Sequence, residues 1–190
     1  MAAITIWITK KEFLVKLQLA FSFPKYSWWM ILAFVPIVVA ALFLLIEIKK
    51  GTVIEWMNFK VSYLFPLIFV NLLMGPLGEE LGWRGFLYPA IKDKYGWITS
   101  ALIVGTIWAF SITVMLLSIL MSMIYNHSQG SIIAIILLHL SFNVSLGFID
   151  ILGTHHPGEI VIKSLYIYAP LVLILVAIHE LRSVSKWLIK

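Results

Sequence analysis

Between Lys94 and Asp150 the chain carries no Asp, Glu, Lys or Arg. A stretch of that length without charge cannot form the surface of a water-soluble domain, where about a quarter of residues are charged. The rest of the chain agrees: 12% of all residues are charged and 62% are hydrophobic. The predicted fold class is therefore all-α, a multi-pass transmembrane helical bundle forming a single membrane domain over 1–190. Its first partner is the lipid bilayer, and the expected location is the cell membrane. The net charge of +5 fits loops facing an anionic leaflet better than it fits nucleic acid, so no nucleic-acid partner is expected. The absence of cysteine excludes disulfides, thiolate catalysis and Cys-ligated zinc.

A helix needs about 20 apolar residues to cross the hydrocarbon core. Residues 28–46 supply a first span, with Trp28 and Trp29 placed as an interfacial belt and Glu47, Lys49 and Lys50 closing it. Residues 1–27 read as an amphipathic or interfacial leader. They carry Lys10, Lys11, Glu12, Lys16 and Lys25 and lack the pattern of a cleavable signal. A second span covers 61–77, and a last, short one covers 165–178 around Pro170. The polar turn Tyr125-Asn126-His127-Ser128-Gln129-Gly130 divides the charge-free region into 98–124 and 131–152. The first of these pieces is long for one span and short for two. Taking it as one helix gives about five spans. The distribution of Lys and Arg asks for an even number, because six spans return Arg182, Lys186 and Lys190 to the side of the N-terminal lysines.

Two polar groupings interrupt the apolar chain. In Gly78-Glu79-Glu80-Leu81-Gly82-Trp83-Arg84-Gly85, three charges stand in or against lipid, where each costs roughly 2.5–3.5 kcal/mol on insertion scales. Glu80 and Arg84 are four apart and can pair on one helix face. Glu79 is turned by about 100° from Glu80 and is left free to act as a general base. The blander reading is a polar cap at a span end. The second grouping is His139 and Asn143, also four apart, in an apolar span. They can hold a metal or support an oxyanion, or serve as hydrogen-bonding glue between helices.

Together these segments resemble the CPBP family of intramembrane proteases, also called CAAX-protease-like or Abi. Residues 78–89 resemble its first motif, Glu-Glu-x-x-x-Arg; residues 125–131 resemble the loop before its last motif; His139-x-x-x-Asn143 matches that last motif. The resemblance covers roughly Asn71 to Leu146, within a family-like core of about 60–152. It implies endopeptidase chemistry on membrane-associated or prenylated, CAAX-type substrates. Glu79 would activate the attacking water, supported by Glu80 and Arg84, while His139 and Asn143 bind a metal or stabilise the oxyanion. It leaves zinc, another divalent metal or no metal open, with Glu79 and His139 as the ligands to test. The same resemblance admits a non-catalytic relative, acting in bacteriocin immunity or as a scaffold.

One part of the pattern is absent. The family's middle motif is an aromatic followed four residues later by histidine. Trp108 supplies the aromatic, but Ile112 stands at the histidine position. The span count falters at this same place, so the sequence reads as having lost residues between about Phe110 and Ser111. Four further histidines attract weaker readings. His127 is a poor substitute for the missing ligand, His155 and His156 fall in a loop, and His179 reads as a charge favourable at a helix end.

Overall fold

The charge-free stretch folds as two helices before the polar turn, not one. The computed structural model describes residues 28–52, 59–109, 111–152 and 157–188; the expected leader at 1–27 and the pair His155 and His156 lie outside the described residues. The elements are α1 (Trp28–Leu32), α2 (Val35–Lys49), α3 (Leu64–Met74), α4 (Pro76–Gly82), α5 (Tyr88–Tyr95), α6 (Trp97–Trp108), α7 (Ile112–His127), α8 (Ile133–Ile151) and α9 (Pro157–Leu188). A 3-10 turn, Val61–Tyr63, leads into α3, and a π-helical turn, Trp83–Leu87, joins α4 to α5. No strand occurs among the described residues.

Three helical stretches are long and apolar enough to cross a membrane: Met30–Lys49, Val61–Tyr95 and Ile133–Ile151. Three shorter apolar helices, Trp97–Trp108, Ile112–His127 and Leu165–Leu181, bring the apolar helical stretches among the described residues to six. The five-span count treated 98–124 as a single helix. The chain instead breaks at 109–111, where Ala109 and Ser111 are both extended. Six is the even number that the charges require.

The inner layer is α7 and α8. Leu117, Leu120, Met121, Ile124, Ile135 and Leu138 are buried to 1% exposure or less. The outer helices present apolar side chains outward, including Ile31 at 70%, Phe65 at 71% and Met74 at 81% exposure. In water, such a surface would drive aggregation; in hydrocarbon, lipid tails cover it. Helix α2 buries the stripe Pro36, Val39, Phe43 and Glu47, and Phe43 meets Ile149 of α8.

Close approaches set the helix positions. A Cβ on Gly105 would lie 2.9 Å from both Met115 Cα and Ser118 Cβ, so glycine lets α6 and α7 touch backbone to backbone. Gly96, at φ +78°, turns the chain from α5 into α6, a conformation that favours glycine. The break between α1 and α2 is sealed from α8, where the Ser141 hydroxyl donates to the Ala33 carbonyl at 2.6 Å. A free carbonyl in lipid costs several kcal/mol, so a serine there has a clear purpose.

Both ends of the bundle are recognisable. At one end Lys92 Nζ donates to Asn126 at 2.9 Å, Trp97 Nε1 donates to Glu180 at 3.3 Å, and the rings of His127 and His179 lie 5.0 Å apart. His179 thus packs against α7 and Trp97 rather than standing alone at a helix end. At the other end Phe59 packs edge-on against Phe148.

A candidate active site between α4, α6 and α8

The site begins in the backbone of the Glu-Glu motif. Pro76 occupies the first turn of α4, where its missing N–H is no loss. Seven residues on, the helix widens into the π-turn Trp83–Leu87. In an ordinary helix, residues spaced by four drift about 40° around the axis at each step. A π-turn has more residues per turn and opposes that drift. Glu80, Arg84 and Tyr88 consequently share the inward face, each 0% exposed. Single π-turns within α-helices are often found at functional sites.

Glu80 and Arg84 pair with Arg84 Nη1 3.0 Å from Glu80 Oε2. The remaining partners come from elsewhere in the chain. Arg84 Nη2 donates to Ser118 Oγ of α7 at 2.9 Å, and Ser118 in turn donates to the Ala101 carbonyl at 2.7 Å. His139 Nδ1 of α8 lies 2.9 Å from Glu80 Oε1. A buried ion pair repays its desolvation only when further hydrogen bonds satisfy both members. This one draws on α4, α7 and α8, and so ties three elements together.

Glu79 stands apart from that network. It is partly exposed, and its Oε2 accepts a hydrogen bond from Trp108 Nε1 at 2.6 Å. Asn143 is near its other oxygen. A Cβ on Gly75 would meet Asn143 Nδ2 at 3.5 Å and Glu79 Oε1 at 3.7 Å, so the bare backbone at 75 keeps open a space that both groups border. Glu79 also lines an open groove of about 550 Å3 with Met74, Gly75, Gly78, Gly82, Trp83 and Phe86. The five residues singled out from sequence thus fall into two sets. Glu80, Arg84 and His139 form a buried cluster; Glu79 lines the open groove, and Asn143 and Glu79 both lie beside Gly75. Trp108 borders both, with its ring 4.7 Å from that of His139 at 68° and 5.4 Å from Arg84 Cζ.

Residues 61–145 match the family model described as type II CAAX prenyl endopeptidase Rce1-like. That matched stretch is similar to the CPBP, or CAAX-protease-like, family. No curated protein matches it, and no solved structure does. The CPBP match contains both polar motifs and the two short helices α6 and α7 between them.

The resemblance to the CPBP family leaves a metal open, and the donor set of this site bears on it. A catalytic zinc takes three protein ligands and keeps a fourth position for water. Here His139 Nδ1 is engaged by Glu80 and Glu79 Oε2 by the indole of Trp108. Among the described residues no three His, Asp or Glu side chains converge, and His127 sits at the far end of α7 with His179. These residues do not fit a catalytic zinc, and no step is routed through one.

Sequence reasoning missed two participants. Trp108 was recognised as the aromatic of a motif but not as the partner of Glu79. Ser118 is one of three serine or threonine residues, with Thr113 and Ser122, in the apolar helix α7; such residues commonly mark helix contacts in membranes, which is the signal that could have found it.

Proposed function

We propose that this chain is an intramembrane endopeptidase that hydrolyses peptide bonds of membrane-associated, CAAX-type prenylated substrates with a water activated by Glu79. The observation that carries the reading is the division of labour between adjacent carboxylates. Glu80 is committed to Arg84 and His139, while Glu79 keeps one oxygen toward the open space over Gly75. Water seated there would lose its proton to Glu79 Oε1 as it attacks the substrate carbonyl. The Asn143 amide borders the same space and would donate to the developing oxyanion. His139, held by Glu80, would fix the inner wall of the site. The apolar surround of α6 and α8 would keep these interactions strong.

The reading includes the loss of residues between about Phe110 and Ser111. Helices α6 and α7, of 12 and 16 residues, are about 18 and 24 Å long, short of a hydrocarbon core of about 30 Å. Sequencing the coding DNA across this junction tests that part: an uninterrupted frame with no missing codons would refute it. The location in the cell membrane belongs to the same proposal.

The deciding experiment uses purified protein in lipid nanodiscs and a prenylated, membrane-anchored peptide. Wild type should cut the peptide, and Glu79→Gln should reduce cleavage at least a hundredfold, in line with loss of a general base, without lowering the melting temperature. Equal cleavage by both proteins would sink the assignment.

A further inference from the structure

Trp108 is the last residue of α6, placed immediately before the extended break. Among the described residues its indole is the hydrogen-bond donor to Glu79. An indole N–H donates only, and it neither accepts nor releases a proton at ordinary pH. It can hold a carboxylate without competing for the proton that a general base must take. The bond fixes Oε2, and Oε1 is the atom that borders the space shared with Asn143. The ring meanwhile rests edge-on against His139 at 4.7 Å and near the guanidinium of Arg84.

We infer that Trp108 is the positioning residue of the site: its indole N–H anchors one oxygen of Glu79 so that the other faces the reacting water, and its ring fixes His139. The inference rests on the peptidase reading, and deepens it by supplying what orients the base. It also explains how this chain can keep a fixed Glu79 with Ile112 at the place of the missing histidine. Catalysis is sensitive to such alignment, because a misplacement of about 1 Å can cost a hundredfold in rate.

Trp108→Phe keeps an aromatic ring against His139 and removes the N–H alone. In nanodiscs, with the same prenylated peptide, it should lower kcat roughly ten- to a hundredfold, the range expected for one hydrogen bond to a charged group. KM and melting temperature should stay at wild-type values, because the lost bond is to Glu79 alone and the ring is retained. A second readout is independent of activity. In a spectrum of 15N-labelled indoles, the Trp108 peak is identified by its loss in Trp108→Phe, and Glu79→Gln should move it upfield as a neutral acceptor replaces a charged one. Wild-type kcat in Trp108→Phe, or an indole peak unmoved by Glu79→Gln, would overturn the inference. If wild type cuts no peptide but the peak still responds to Glu79→Gln, the peptidase reading fails and the anchoring of Glu79 stands.

Discussion

At the scale of single residues, two adjacent glutamates receive opposite environments from one helical rotation. Residues one apart on a helix point about 100° away from each other. Glu80 turns inward to a guanidinium, an imidazole and, through Arg84, a serine. Glu79 turns toward a groove that the chain leaves open. Gly75 is the residue that preserves this opening. An alanine methyl there would sit at ordinary contact distance from Asn143, Asn71 and Glu79, between 3.5 and 3.7 Å, so the fold should accept it. Gly75→Ala should leave the melting temperature within about 2 °C of wild type while reducing peptide cleavage at least tenfold, because the methyl occupies the space assigned to water; the approximate scale of the melting change is that of a surface substitution. Undiminished cleavage by Gly75→Ala would place the water elsewhere.

At the scale of elements, the decisive contact is the crossing of α6 over α7. It brings Ser118 to Arg84 and sets Trp108 over Glu79. The crossing depends on Gly105, whose added Cβ would collide at 2.9 Å with the backbone of Met115 and with Ser118. Gly105→Ala should destabilise the protein by about 1–3 kcal/mol, the usual cost of overpacking, and lower its melting temperature in detergent. Gly78→Ala makes the matched comparison: open space surrounds that position, and alanine is the better helix former by up to about 1 kcal/mol, so the melting temperature should hold or rise. Similar losses in both variants would mean that glycine serves helix geometry generally rather than this crossing.

At the scale of the whole molecule, the packing of the described helices places their ends in a definite order. The ends joined by Lys92–Asn126, Trp97–Glu180 and His127–His179 face one side. The ends near Phe59 and Phe148 face the other. Because the chain has no cysteine, single substitutions report topology cleanly. In oriented vesicles, a membrane-impermeant maleimide should label Lys60→Cys and Asp150→Cys from one side and Lys94→Cys from the opposite side. Labelling of Lys60→Cys and Lys94→Cys from the same side would refute the crossing by the Val61–Tyr95 stretch. The proposed site would then lie inside the bilayer. Glu79 is 13 residues before Lys92, or about 20 Å along a helix, well within a core of about 30 Å.

The sequence by itself determined the environment, the main spans and the chemistry on offer. A charge-free stretch between Lys94 and Asp150 leaves lipid as the only solvent, and the polar run 125–130 marks the turn, which the structure narrows to 128–130 because α7 continues through His127. The spacing of Glu80 and Arg84 determines that they can pair, since neighbours on one helix face are a local matter. Only the tertiary structure decided the rest. The break at 109–111 has no glycine or proline to announce it. It arises because α6 and α7 gain more by packing through Gly105 than by continuing as one helix, and because Trp108 then reaches Glu79. Likewise, no spacing rule could assign His139 to Glu80 rather than to Glu79, or recruit Ser118. Those pairings join residues far apart in the chain, and they exist only where helix crossings bring them within hydrogen-bonding distance.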